Sequence, residues 1–94
     1  MTGIVRQRLR ITGHVQGVGF RYFVASVARN LGIVGWVRNE PDGAVLCEAQ
    51  GPAADVESFA WHVSRGPAHA RVERAEVDEL PPAEPPEAVF SIVR

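Results

Sequence analysis

The chain has no lysine: all ten of its basic residues are arginines. That absence removes the P-loop, which needs a Gly-Lys-[Ser/Thr] run after its glycines. Cysteine is nearly as scarce. The single Cys47 cannot close an internal disulfide, and its apolar surroundings mark it as a small buried hydrophobe in a reducing compartment rather than a reactive thiol. No apolar run approaches the ~18 residues of a membrane span. The opening Met1-Thr2-Gly3-Ile4-Val5-Arg6 has no apolar stretch followed by a cleavage site. A cytoplasmic protein with no membrane partner is expected. Neither sign of charge prevails, the formal net charge being −1, so nothing draws the whole chain to nucleic acid or anionic lipid. Any anion must be held by a local site. His14, His62 and His69 fall on separate expected elements, and no cluster of His, Cys or carboxylates has metal-ligand spacing. No metal and no other cofactor is expected.

What is present is enough for one folded unit. Ninety-four residues at 46% hydrophobic bury somewhat over ~60% of their unfolded surface and need neither metal nor disulfide, so residues 1–94 read as a single domain. Residues 5–13 alternate, with Val5, Leu9 and Ile11 apolar and Arg6, Arg8, Arg10 and Thr12 polar, which is the period of a half-buried strand. Phe20, Phe23, Val24, Val27, Ala28 and Leu31 draw one helical stripe that stops at Gly32. Two strand-like runs, 34–39 and 44–50, flank Glu40-Pro41-Asp42-Gly43, a tight reversal. Gly51-Pro52 opens a second helix that ends at Gly66-Pro67. Residues 70–80 fit a helix or a bulged strand; a strand is expected, because the β-α-β-β-α order before it lacks its last partner. A proline-rich connector, 81–86, leads to a short edge strand over 89–93. The order β-α-β-β-α-β predicts an α+β, ferredoxin-like sandwich: an antiparallel sheet with both helices on one face. The arginines of the first strand should then face solvent on the open side.

Chemistry concentrates in Gly13-His14-Val15-Gln16-Gly17-Val18-Gly19-Phe20-Arg21, between the first strand and the first helix. Glycines let consecutive backbone N–H groups converge on an anion, a helix N-terminus adds a favourable dipole, and an arginine supplies a forked cation. Arg21 alone is misplaced, since a cation in the first turn opposes that dipole; a bound phosphate resolves the conflict. The dinucleotide fingerprint is excluded, because Gly17-x-Gly19 continues as Phe20, Arg21 and Tyr22 without a third glycine.

This motif, together with Gly35-Trp36-Val37-Arg38-Asn39 and Asp42-Gly43, resembles the acylphosphatases, small hydrolases that cleave mixed carboxylic–phosphoric anhydrides. The resemblance covers nearly the whole chain. It implies that the backbone of Val15, Gln16, Gly17, Val18, Gly19 and Phe20, with Arg21, holds the phosphoryl group, and that Asn39 orients the attacking water. Arg21 and Asn39 are thus the expected catalytic residues, acting on a small acyl phosphate, with inorganic phosphate as the other ligand and a monomer as the working unit. In the family the residue after the asparagine is often threonine. Here it is Glu40, a carboxylate that would weaken anion binding unless strand alternation points it away.

Three other readings compete. The N-terminal domain of the large hydrogenase-maturation carbamoyltransferases shares the motif and acts on carbamoyl phosphate, though a chain of this length is expected to lack their further regions. An RNA-recognition module has the same element order, but residues 6–12 and 44–50 contain no aromatic side chain on which a base could stack. A non-catalytic phosphate-binding regulatory module would use the loop without turnover.

Overall fold

In a computed structural model that describes residues 3–94, the alternating segment forms β1 (Ile4–His14), with Leu9 and Ile11 fully buried. Met1 and Thr2, part of the segment read above for a leader, lie outside the described residues. The apolar stripe becomes α1 (Phe20–Leu31), burying Phe20, Val24, Ala25 and Ala28 and closing on Gly32, whose left-handed φ of 71° lets its N–H reach back to the last carbonyls. Then come β2 (Val34–Asn39) and β3 (Val45–Pro52), joined by a turn in which Glu40 N–H donates to the Ala44 carbonyl at 2.8 Å.

Gly51 and Pro52 finish β3, and Pro52 is also the N-cap of α2 (Ala53–Arg65), one position ahead of the first turn, where its missing N–H costs no helical bond. The ambiguous stretch is a strand, β4 (Arg71–Leu80), and it carries a bulge: Thr12 faces Arg74 and Gly13 faces Val72, which leaves Glu73 without an opposite number. A short β5 (Phe90–Ile92) completes the chain.

The sheet order is β4-β1-β3-β2-β5. Every pairing is antiparallel except the last, since β5 runs parallel to β2 with Ile92 beside Val37. Leu9, Ile11, Val37, Val45, Cys47 and Ala49 project from one face into a core completed by α1, α2 and Phe90. Phe59 of α2 meets Phe90 at 5.8 Å between ring centroids, which ties the outermost strand to a helix. Among the described residues no helix is long and apolar enough to cross a membrane.

The expectation for the β1 arginines needs correction at Arg6. It projects from the open face but is only 5% exposed. Because β4 and β5 occupy opposite edges of the sheet, the connector 81–89 must traverse one end of it, and it covers Arg6 there. Arg6 donates to Glu48 at 2.8 Å, to Gln50 at 3.0 Å and through two nitrogens to Glu87 at 2.9 and 2.7 Å. Gln50 in turn bonds the backbone of Ala83.

Strand direction also sets the site. With β3 antiparallel to both β1 and β2, and β5 parallel to β2, the C-terminal ends of β1, β2 and β5 meet at the other end of the sheet. There the glycine loop, Asn39 and the residues following β5 come together.

Candidate active site

The loop after β1 turns on Gly17 and Gly19, both left-handed, with φ of 75° and 77°. A Cβ on either would meet nothing within 4 Å, so glycine is required there by conformation and not by crowding. Gly13 serves another purpose. A side chain on it would overlap the carbonyl oxygen of Arg71, so it belongs to the packing of the bulge on β4 and not to the cradle.

Gly19 is also the N-cap of α1, and this end of the helix has no side-chain cap and no acidic residue in its first turn. Its free N–H groups and dipole are therefore available to a ligand anion. By contrast α2 has Asp55 in its first turn.

Val15, Gly17, Gly19, Phe20, Arg21, Tyr22 and Asn39 line one hollow of about 230 Å³. The side chains of Val15 and Phe20 are buried in the core, so these two residues offer a ligand their backbone only. Of the expected set, Gln16 and Val18 do not line the hollow. Val18 packs against the core. Gln16 has a different assignment: its Nε2 donates to the carbonyls of Glu40 and Ala44, each at 2.8 Å, so the loop is tied to the β2–β3 turn that immediately follows Asn39.

Asn39 ends β2 with its side chain on the same face as Val37, toward α1 and the loop. Its Oδ1 is buried and has no hydrogen-bond partner. An acceptor in that position is costly unless something donates to it. Glu40 points the other way and pairs with Arg38 at 2.8 Å, so its charge is compensated on the open face. Asp42, farther along the turn, is held below the usual carboxylate range by the Ala44 backbone N–H and by its ion pair with Arg10.

Sequence reasoning missed Tyr22, together with Arg29, Ser91 and Arg94, which line a wider groove contiguous with the hollow through Arg21, Tyr22 and Asn39. Tyr22 directly follows Arg21 in the first turn of α1 and could have been included on that ground. For the residues after β5 no local signal existed, because only the pairing of β5 with β2 brings them here. Among the described residues no three His, Cys, Asp or Glu side chains gather closely enough to share a metal ion.

Comparison with known proteins agrees with this geometry. Residues 7–92 match the acylphosphatase family. The chain is 55% identical over 73 residues to an acylphosphatase of Salinibacter ruber, which spans 78% of this chain and 77% of that one. Its fold superimposes on the crystal structure of acylphosphatase from Bacillus subtilis with a TM-score of 0.90 at 39% identity, covering 96% of this chain and 99% of that one. It also resembles, at 28% identity and a TM-score of 0.86, a part amounting to 12% of full-length HypF solved in a phosphate- and nucleotide-bound form. With a family match across nearly its whole length, and a glycine loop, arginine and asparagine meeting at one end of the expected sheet, the chain belongs to the acylphosphatase family.

Proposed function

We propose that residues 1–94 act as a single catalytic domain that hydrolyses acyl phosphates by direct attack of water on phosphorus. The loop N–H groups of residues 15–20 and the guanidinium of Arg21 bind the phosphoryl oxygens, and Asn39 holds the water. The observation that carries this reading is that Asn39, whose buried Oδ1 has no hydrogen-bond partner among the described residues, lines the same hollow as the glycine loop and Arg21. A water that donates one hydrogen to Oδ1 keeps a lone pair for the phosphorus, and the contact fixes its line of approach.

The new P–O bond forms from the water oxygen, and the bond to the acyl oxygen breaks, leaving its electron pair on a carboxylate. Such a leaving group has a conjugate acid of pKa about 4, so it departs without help from a general acid. The proton of the attacking water passes to an oxygen of the substrate's own phosphate. As the phosphoryl group flattens, charge on its three equatorial oxygens meets donors already in place, and positioning with electrostatics is all the catalysis the step needs. Carbamoyl phosphate carries the same reacting bond and falls under the same reading. The cradle and Asn39 come from one chain, which supports action as a monomer. Burial pushes the Cys47 thiol up to about 12, so it takes no part in the reaction.

The test separates binding from rate. Asn39→Ala removes a contact to water, not to the anion, so inhibition by inorganic phosphate stays near the wild-type value while kcat for benzoyl phosphate falls on the order of a hundredfold. Turnover within a factor of two of wild type in a folded Asn39→Ala enzyme would remove the water-positioning role. Failure of the wild-type chain to hydrolyse any acyl phosphate would favour a phosphate-binding regulatory module.

A further inference from the structure

Most arginines of this protein are accounted for by neighbours. Arg6, Arg8, Arg10, Arg38 and Arg74 pair with carboxylates, and Arg65 stacks over the Trp61 ring at 4.8 Å. Four are left with neither kind of partner among the described residues, and three of these, Arg21, Arg29 and Arg94, line a single groove of about 820 Å³ beside the phosphate cradle. Among the described residues no acidic side chain lines it. Arg29 is anchored, since its Nη2 donates to the Phe90 carbonyl at 3.0 Å, but a neutral acceptor leaves the charge uncompensated and the other guanidinium donors free. Ile92 and Val93, which suit a short methylene chain, line the same groove, as do the hydroxyl-bearing Tyr22 and Ser91.

Arg21 is used by the phosphoryl group in the reading above, and the present inference rests on that reading. The phosphoryl group needs only the smaller hollow. The larger space must take the acyl part, and its two further cations have no purpose toward a neutral acyl chain. We propose that this groove is an acyl-group subsite in which Arg29 and Arg94 recognise a second anion, so that the enzyme prefers acyl phosphates whose acyl chain ends in a carboxylate or a phosphate. A guanidinium fork matches either group in a bidentate manner.

The experiment compares substrates of equal length that differ in the distal charge: succinyl phosphate against butanoyl phosphate, and glutaryl against pentanoyl phosphate. At low ionic strength kcat/KM favours the charged member of each pair by roughly three- to tenfold, the range for two partly exposed ion pairs. The preference decays as salt is raised in the wild-type enzyme. It drops toward one in the Arg29→Gln, Arg94→Gln double variant, with the neutral substrate measured in the same preparation as the reference. A ratio of one in the wild-type enzyme, a ratio indifferent to salt, or a ratio unchanged in the double variant overturns the subsite. The wild-type salt titration does not depend on whether Arg29→Gln folds, and the single Arg94→Gln variant changes a side chain with no ion-pair or hydrogen-bond partner among the described residues. If the neutral members are hydrolysed without preference, the subsite alone has failed; if they are not hydrolysed at all, the reaction assigned to the cradle has failed with it.

Discussion

Arg6 and Arg21 sit at opposite ends of the same sheet, and their surroundings differ in every respect that matters for a charge. Arg6 is buried and fully engaged by Glu48, Gln50 and Glu87. Hydrogen bonding to Glu87 raises its pKa, and Glu48 adds to this against the opposing effect of burial. It clamps the connector 81–89 onto β1 and β3. Arg21 has no carboxylate partner among the described residues and stands in the first turn of α1, where the helix dipole disfavours a cation. An arginine supplied with its own carboxylates holds the fold together. One left without them in an unfavourable field is held for a ligand.

The largest effect expected from breaking this contrast is at the ligand end. Arg21→Ala lowers kcat/KM by on the order of a hundredfold or more and weakens phosphate inhibition, because the lost pair exists in the ground state and strengthens in the transition state. Its melting temperature stays level or rises slightly, since a cation opposed to the dipole has gone. Arg21→Lys restores part of the phosphate binding and little of the rate, a point charge being no substitute for the fork. Phosphate calorimetry beside steady-state kinetics checks both halves. Normal phosphate affinity in Arg21→Ala would take the arginine out of the cradle.

At the other end the expected effect is on stability alone. Glu48→Ala leaves Arg6 with Glu87 as its one counter-charge among the described residues and with the neutral Gln50, and Arg8 loses its two hydrogen bonds, at 3.0 and 2.7 Å. A broken buried pair of which one partner keeps a second counter-charge costs on the order of 2–3 kcal/mol. Urea unfolding measures it, and kcat/KM of the folded variant stays within about twofold of wild type. A kinetic defect as large as that of Arg21→Ala would mean that the two ends are coupled.

How much of this was visible beforehand follows from which contacts are local. The cradle was legible because its parts are consecutive: two glycines, a helix start and an arginine within one loop. The strand parity of β1 was legible too, and it correctly placed Arg6 on the open face. What parity cannot show is what covers that face, and the cover depends on β5 pairing with β2 rather than with any strand near it in the chain. The same nonlocal pairing hid the groove wall formed by residues 91–94. Gly13 was read with the loop glycines, since spacing alone does not distinguish a glycine of a tight turn from one beside a strand bulge that, besides its φ of 130°, must admit a neighbouring backbone. Gln16 was placed in the cradle for its backbone; that its carboxamide ties the loop to the turn was not legible, because only the fold brings the Glu40 and Ala44 carbonyls to it.

Gln16 offers a smaller and more local perturbation at the ligand end. Gln16→Ala frees the loop from the β2–β3 turn, so the phosphate amides and Asn39 keep their identities but lose their mutual spacing. A fall of roughly tenfold in kcat/KM is expected, less than for either reacting-end residue because no direct contact to the anion is removed. Gln16→Glu preserves size while replacing the donor by an acceptor that faces two carbonyl oxygens, and falls at least as far. Kinetics of the two variants, each checked for folding by circular dichroism, decide whether the tie contributes; wild-type kcat/KM in Gln16→Glu would show that it does not.

The smallest effect expected is a pH dependence belonging to the clamp alone. Burial pushes the Glu48 carboxyl up, but the hydrogen bonds from Arg6 and Arg8 together outweigh it and hold the group below the usual carboxylate range. Glu87 is lowered as well, by its bonds from Arg6 against a smaller opposing effect of burial. A carboxylate with a lower pKa in the folded than in the unfolded chain favours folding while it is ionised. Its contribution is complete above the unfolded glutamate range, begins to fade as the pH drops into that range, and is gone once the pH has passed the lowered folded value. The melting temperature should therefore be flat from pH 7 to about pH 5 and fall by roughly a few degrees on further acidification. In Glu87→Gln, which keeps the shape but cannot ionise, the starting melting temperature is lower and the acid slope shallower. Phosphate added at saturation raises both curves through the other end of the sheet without altering the difference between them, because it binds where neither glutamate is found. Equal acid slopes in wild type and Glu87→Gln would show that the protons are taken up elsewhere and that the clamp around Arg6 is not what acid releases first.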